Sequence, residues 1–235
     1  MGLSTLFVMI THTVIITNNV DSPIIKEANY FLNMFANEEK SVAATKTFTQ
    51  TLLVLIKLVF ICLGKKNIND DIKKLCEIIV NDSSNEWKTN IIDKYINTGF
   101  IIGRGVGFAL SNEISLKFKE LCQEMIEPFS SAEVMHGPKS LIENSFKLFL
   151  LGMNDKSGLT VNKDVNELKN YTNLVYEMSS NKNVKSDFIY PSNKILELDS
   201  VILMSKFYPW IIRYTINKGL NPDEPRYLTK VTQTF

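Results

Sequence analysis

Phe100-Ile101-Ile102-Gly103-Arg104-Gly105 is a short apolar run that ends on two glycines. The run reads as a buried strand, and the glycines as the turn that follows it. Leu110, Ile114, Phe118, Leu121, Cys122 and Met125 then recur at helical spacing, which predicts a helix over about 107–125. A strand passing through a glycine turn into a helix is the opening of a βαβ unit. In parallel sheets ligands sit at the carboxyl ends of strands, and a helix N-terminus there offers free N–H groups. Gly103, Arg104 and Gly105 are therefore a candidate anion cradle, although glycines at such a turn are often turn chemistry alone.

The same alternation extends both ways. Upstream, Thr13–Thr17 is β-branched and ends at Asn18-Asn19, as suits a strand buried on both faces. A short helix is expected over Pro23–Tyr30, then an apolar run from Phe31 to Phe35. Residues 44–64 form a long helix, apolar nearly all round and so expected to be buried, which Gly64 stops. Asn69 and Asp70 cap a further helix with Ile72, Leu75, Cys76 and Ile79 on one stripe. Residues 81–88 are the expected linker and 87–97 a helix. Downstream come a strand at 146–151, a helix over 161–178, strand-like segments near 187–190 and 194–198, and a helix over 200–218. This order predicts an α/β fold, doubly wound in three α/β/α layers around a parallel sheet.

Composition narrows the function. The 235 residues carry 26 Lys plus Arg against 25 Asp plus Glu, a net charge of +1. That argues against a nucleic-acid protein working by bulk charge. Arginine is scarce among the basic residues, which we read as nucleotide bias in the source genome. The three cysteines, Cys62, Cys76 and Cys122, have no CxxC spacing. They imply neither a disulfide framework nor a zinc site, and are expected to be reduced, buried thiols of a cytoplasmic protein. Leu3–Ile16 is mostly apolar, yet it has no basic flank and is too short to span a membrane. No metal, cofactor, nucleic-acid or membrane partner is expected.

Two features of the remaining sequence can carry chemistry. Glu113, Lys117, Glu120 and Glu124 share a polar face of the 107–125 helix. Spacing alone favours a solvated ion-pair face, but a carboxylate beside a lysine at the mouth of a sheet can also serve as a general base. His136 lies in the loop Ser130–Pro138, where a lone histidine is more often an ordinary hydrogen-bonding residue. His12, in the apolar N-terminal run, is read as structural.

Three blocks, in order and at matching spacing, together resemble the SIS (sugar isomerase) family. They are Ser41–Gln50 (SVAATKTFTQ), Gly103–Pro138 including Glu113–Glu120 (EISLKFKE) and Ser131–Pro138 (SAEVMHGP), and the tail Asn221–Thr232 (NPDEPRYLTKVT). The likeness is greatest to the isomerase part of glucosamine-6-phosphate synthases and to hexosamine-phosphate deaminases. It implies aldose–ketose interconversion of a 6-phosphosugar, with ammonia added or released at C2. It makes Glu120 the base that moves a proton between C1 and C2. It makes His136 the ring-opening histidine, often supplied across a subunit interface. Lys230 becomes the tail lysine that closes over the open-chain sugar, Lys117 a lysine of the same pocket, and Val42 and Ala43 the backbone contacts to the sugar.

The departures shape the expectation as much. The chain starts about where the family's third or fourth strand lies, so the expected organisation is an incomplete first SIS domain over 1–80, a linker, a second SIS domain over 89–219 and an active-site tail over 220–235. The family's S-x-S-G-x-T phosphate turn is absent, and Asn37 and Glu38 replace a glycine and a proline. Gly2 follows Met1 where a glutaminase domain would have its cysteine, so free ammonia is the expected nitrogen source or product. A homodimer or higher oligomer is expected, to cover the apolar helix. Two other readings stay open: a phosphosugar-binding module without turnover, and an inactive fragment that needs a partner chain.

Overall fold

The computed structural model describes residues 12–181 and 186–231. Its main body is a five-stranded, wholly parallel sheet. The strands are β3 (Thr98–Gly103), β4 (Met125–Ser130), β5 (Lys147–Gly152), β6 (Val175–Ser179) and β7 (Phe188–Ile189), in the order β4-β3-β5-β6-β7. The chain leaves β3 toward β4, then crosses back to β5. The topological switch point therefore lies between the carboxyl ends of β3 and β5.

Alternation in β3 separates the two faces. Ile101 points into a core shared with α3 (Val106–Cys122) and α6 (Leu196–Asn217). Phe100 and Ile102 point into the opposite core, with Val134 of α4 (Ser131–His136) and Val161 and Val165 of α5 (Lys156–Val165). The result is the expected α/β/α sandwich. Two further helices, α1 (Lys46–Cys62) and α2 (Ile68–Asn81), pack on the α6 side. Ahead of them, β1 (Val14–Thr17) and β2 (Tyr30–Asn33) form a separate two-stranded parallel sheet.

Several expectations are corrected. β1 forms, but β2 is its only neighbour among the described residues and it is half exposed, not buried on both faces. The part of the N-terminal run before residue 12 lies outside the described residues. Helix α1 buries only Ile56 and Phe60 fully, and leaves Leu55, Val59 and Ile61 exposed. Segment 87–97 is not helical: Trp87 donates its Nε1–H to Ile189 O (2.7 Å) and Trp210 donates to Lys88 O (3.1 Å). These bonds tie it as an irregular strap to β7 and α6. The 107–125 helix stops at Cys122, because Gln123 turns left-handed (φ 55°) and Glu124 N–H closes on Phe118 O. Met125, assigned to the helix core, instead opens β4 and is exposed. Expected helix 161–178 ends at Val165, and its last part is strand β6. The strand-like segment 194–198 runs into the start of α6 at Leu196, and Asp199 in the first turn ties the preceding loop by accepting from Ser192 Oγ and Asn193 N–H. Among the cysteines only Cys122 is buried.

Candidate active site

The polar face of α3 is not solvated. Tyr208 of α6 closes over Glu113 from the side. Lys117 lies beneath, its side chain 2% exposed, between two carboxylates: Glu113 Oε1 at 3.4 Å and Glu120 Oε2 at 2.6 Å. A buried ammonium is tolerated only when its charge is matched and its protons are bound, and the i−4 and i+3 carboxylates do both. Glu113 is held in turn by the Tyr208 phenol, which donates to Oε1 at 2.8 Å. Burial raises the Glu113 pKa, partly offset by Lys117 and by the Tyr208 hydrogen bond. Burial and the adjoining Glu113 carboxylate raise that of Tyr208 strongly. Glu124, the fourth member of the expected face, has left it. Past the helix end it is fully buried, with Lys147 and Lys218 at 2.9 and 2.7 Å.

Glu120 is the most accessible of the three, 22% exposed, and opens on a cavity of about 350 Å³. Its other walls are Lys119, Gln123 and the C-terminal tail at Arg226, Tyr227 and Leu228. Two residues along that tail, Lys230 Nζ donates to Ser41 O at 2.7 Å, and Ser41 Oγ donates to Asp223 at 2.9 Å. The tail thus spans from Glu120 to the loop that carries half-buried Val42 and buried Ala43. That loop is anchored by Glu39, whose carboxylate accepts from Thr45 N–H (3.0 Å), Lys46 N–H (2.7 Å) and the Thr47 hydroxyl at the start of α1. Burial opposes the charge on Glu39, but these donors prevail and lower its pKa.

The other expected residues lie elsewhere. His136 ends α4 and is exposed, in the helical layer across the sheet from α3. Within one chain it does not meet Glu120. Gly103, Arg104 and Gly105 sit at the switch point, at the opposite end of α3 from Glu120, about 22 Å away by helix rise. Arg104 faces Asp164 of α5 (3.6 Å), which also accepts from Ser131 Oγ. The N–H groups of Gly107 and Phe108 are already taken by Arg104 O and Gly105 O, leaving few free donors for an anion. Among the described residues no His, Cys, Asp and Glu are grouped to hold a metal ion, and no helix is long and apolar enough to cross a membrane.

The fold and much of the sequence have counterparts in known proteins. The glutamine–fructose-6-phosphate aminotransferase (isomerizing) of Sulfolobus acidocaldarius is 32% identical over 223 residues, 92% of this chain and 37% of that protein. A Silicibacter pomeroyi protein assigned as a phosphosugar isomerase superposes with a TM-score of 0.76 at 25% identity, over 89% of this chain and 64% of that one. The chain has the fold of the SIS (phosphosugar isomerase) domains. No family model matches it. The Bacillus subtilis aminotransferase of the same name is 28% identical over 232 residues, 38% of its length. The C-terminal domain of the Francisella tularensis glucosamine-fructose-6-phosphate aminotransferase shares the SIS fold, with a TM-score of 0.71 at 20% identity over 90% of this chain and 65% of that one. The chain spans little more than a third of the curated relatives it matches.

Spacing alone did not single out Tyr208, Glu39, Ser41 or Arg226–Leu228 as neighbours of the site. Tyr208 lies in the apolar stretch of α6, where a tyrosine reads as core. Its one sequence signal is a hydroxyl that must find a partner when buried.

Proposed function

We propose that the chain is the catalytic part of a phosphosugar aldose–ketose isomerase, acting on a hexosamine 6-phosphate and exchanging ammonia at C2. The observation that carries this reading is the buried Lys117 ammonium gripped by Glu113 and Glu120 under the chain's own tail. Glu120 would move the proton between C1 and C2 of the open-chain sugar. Lys117 and Lys230 would stabilise the developing oxyanion of an enediol-type intermediate. Val42 and Ala43 would contact the sugar through their backbone. His136, across the sheet, would open the sugar ring from a second copy of the chain, so the working form is a dimer or larger. Relatives named as isomerizing aminotransferases support the reaction class.

The first test gives the purified chain glucosamine 6-phosphate and, separately, galactosamine 6-phosphate, and follows ammonia release. Release that Glu120→Gln abolishes is the expected result. A folded chain with no turnover at millimolar substrate overturns the reading. Sedimentation checks the assembly, and a monomer would remove the role given to His136.

A further inference from the structure

We propose that Tyr208 is a positioning residue for the Lys117–Glu120 pair, acting through Glu113. The inference rests on the isomerase reading and deepens it. Tyr208 OH and Lys117 Nζ converge on one atom, Glu113 Oε1, at 2.8 and 3.4 Å. Lys117 then makes the shorter contact, 2.6 Å, to Glu120 Oε2. The result is an unbroken chain from α6 to the carboxylate in the cavity, and its first three members are largely shut off from water. Tyr208 is 6% exposed and the Lys117 and Glu113 side chains 2% and 9%. A lysine has four rotatable bonds and cannot hold one position without fixed partners. Glu113 is such a partner only while it stays ionised, and burial works against that. The phenol supplies a hydrogen bond that favours the ionised form. An apolar residue at 208 would pack equally well against α3 without that bond.

Each element around the cluster contributes charge. Helix α3 supplies Glu113, Lys117, Lys119 and Glu120, and Lys119 is drawn off to Glu127 of β4 at 2.7 Å. Helix α6 supplies Tyr208. The segment before α1 brings Glu39, near enough to Tyr208 to add to the negative field on the phenol, and the first residue of α1, Lys46, lines a cavity with Tyr208. The tail brings Arg226 beside Glu120 and Lys230 at Ser41. Among the described residues the Glu113 carboxylate accepts a hydrogen bond from Tyr208 and pairs with the Lys117 ammonium.

The experiment has a substrate-free arm and a kinetic arm. In the first, side-chain carboxyl carbons are titrated by NMR in wild type and Tyr208→Phe, with Glu113→Gln to assign the Glu113 signal. The Glu113 midpoint is expected to rise by about one to two pH units, the shift carried by loss of one hydrogen bond to a charged group. The Lys117 ammonium cross-peak, slowed in exchange by its two carboxylates, is expected to broaden. An unmoved Glu113 midpoint or an unchanged Lys117 peak overturns the proposal whether or not the chain turns over substrate. In the second arm, Tyr208→Phe is expected to lower kcat roughly tenfold at constant KM, the signature of an interaction used in the transition state. The Tyr208→Phe/Glu113→Gln double variant is expected to be no slower than Glu113→Gln alone, since coupled residues are not additive. Additive losses, or a loss confined to KM, overturn the proposal. Absence of turnover in wild type, with the NMR coupling intact, overturns only the isomerase reading beneath it.

Discussion

Replacing Glu124 by Gln should unfold the domain more readily than any other single change of charge in it. The Glu124 and Lys147 side chains are both 0% exposed and meet at 2.9 Å. The other oxygen of Glu124 accepts from Tyr214 OH and Lys218, both at 2.7 Å, and Lys147 also donates to Tyr214 OH at 2.9 Å. One carboxylate thus balances two ammonium groups. Without its charge, Lys147 is left buried and unpaired beside Lys218. Burial already lowers the Lys147 pKa, with Glu124 opposing the shift. Breaking such a pair from one side costs about 3–5 kcal/mol, a large part of the roughly 5–15 kcal/mol that holds a domain folded. With a urea slope of about 2–3 kcal/mol/M, the midpoint should fall by roughly 1–2.5 M. Trp210, stacked on Tyr214 at 5.2 Å between ring centroids, gives the fluorescence signal. Lys147→Met/Glu124→Gln removes the buried charge together with its partner and should regain at least half of the loss. A single variant within about 1 kcal/mol of wild type, or a double variant less stable than the single, would show that the network is not an electrostatic keystone.

Other expectations follow from the same burial. Cys62 and Cys76 are exposed and Cys122 is not, so a thiol reagent should label two cysteines in the native chain and the third only on unfolding. Burial pushes the Cys122 thiol up to about 12 from 9.0. The unfolded chain therefore releases this proton first, and the thiol's contribution to stability is lost as pH rises between those values; Cys122→Ala should flatten that alkaline limb in melts. Gly103→Ala would set a Cβ 2.4 Å from the backbone of Gly107, which cannot swing aside; a loss of about 3 kcal/mol or more is expected in denaturant unfolding. Glu113 titrates above its ordinary 4.5, so its contribution falls as pH rises through that raised value. Glu113→Gln should then melt no lower than wild type at pH 7 while slowing ammonia release, and a much lower melt would show that ionised Glu113 is needed for folding.

What was legible in the sequence, and what was not, separates along one physical line. The Phe100–Gly105 run and the apolar stripe through Phe118 are local signals, and β3 and α3 stand where they indicate. β4 was missed because nothing local ends α3: Gln123, not a glycine, takes the left-handed cap. Pro128 argues against a strand unless the strand lies at a sheet edge, as β4 does. β6 was read as helix because Val175–Ser179, covered on both faces, offers no alternation to distinguish it. The site shows the same division. Glu113, Lys117 and Glu120 were legible as one face, because i, i+4, i+7 is a property of the helix itself. Whether that face meets water is decided by what returns over it, and both returning parts are distant in sequence. Tyr208 reaches Glu113 across 95 residues, and Lys230 reaches Ser41 across 189. A surface ion pair gains about 0–1 kcal/mol and orients little. The same three charges, roofed by α6 and the tail, hold a lysine in place against a carboxylate. The spacing on α3 is therefore compatible with either an inert face or a base and its partner, and the packing of α6 and of the tail up to Lys230 chooses between them.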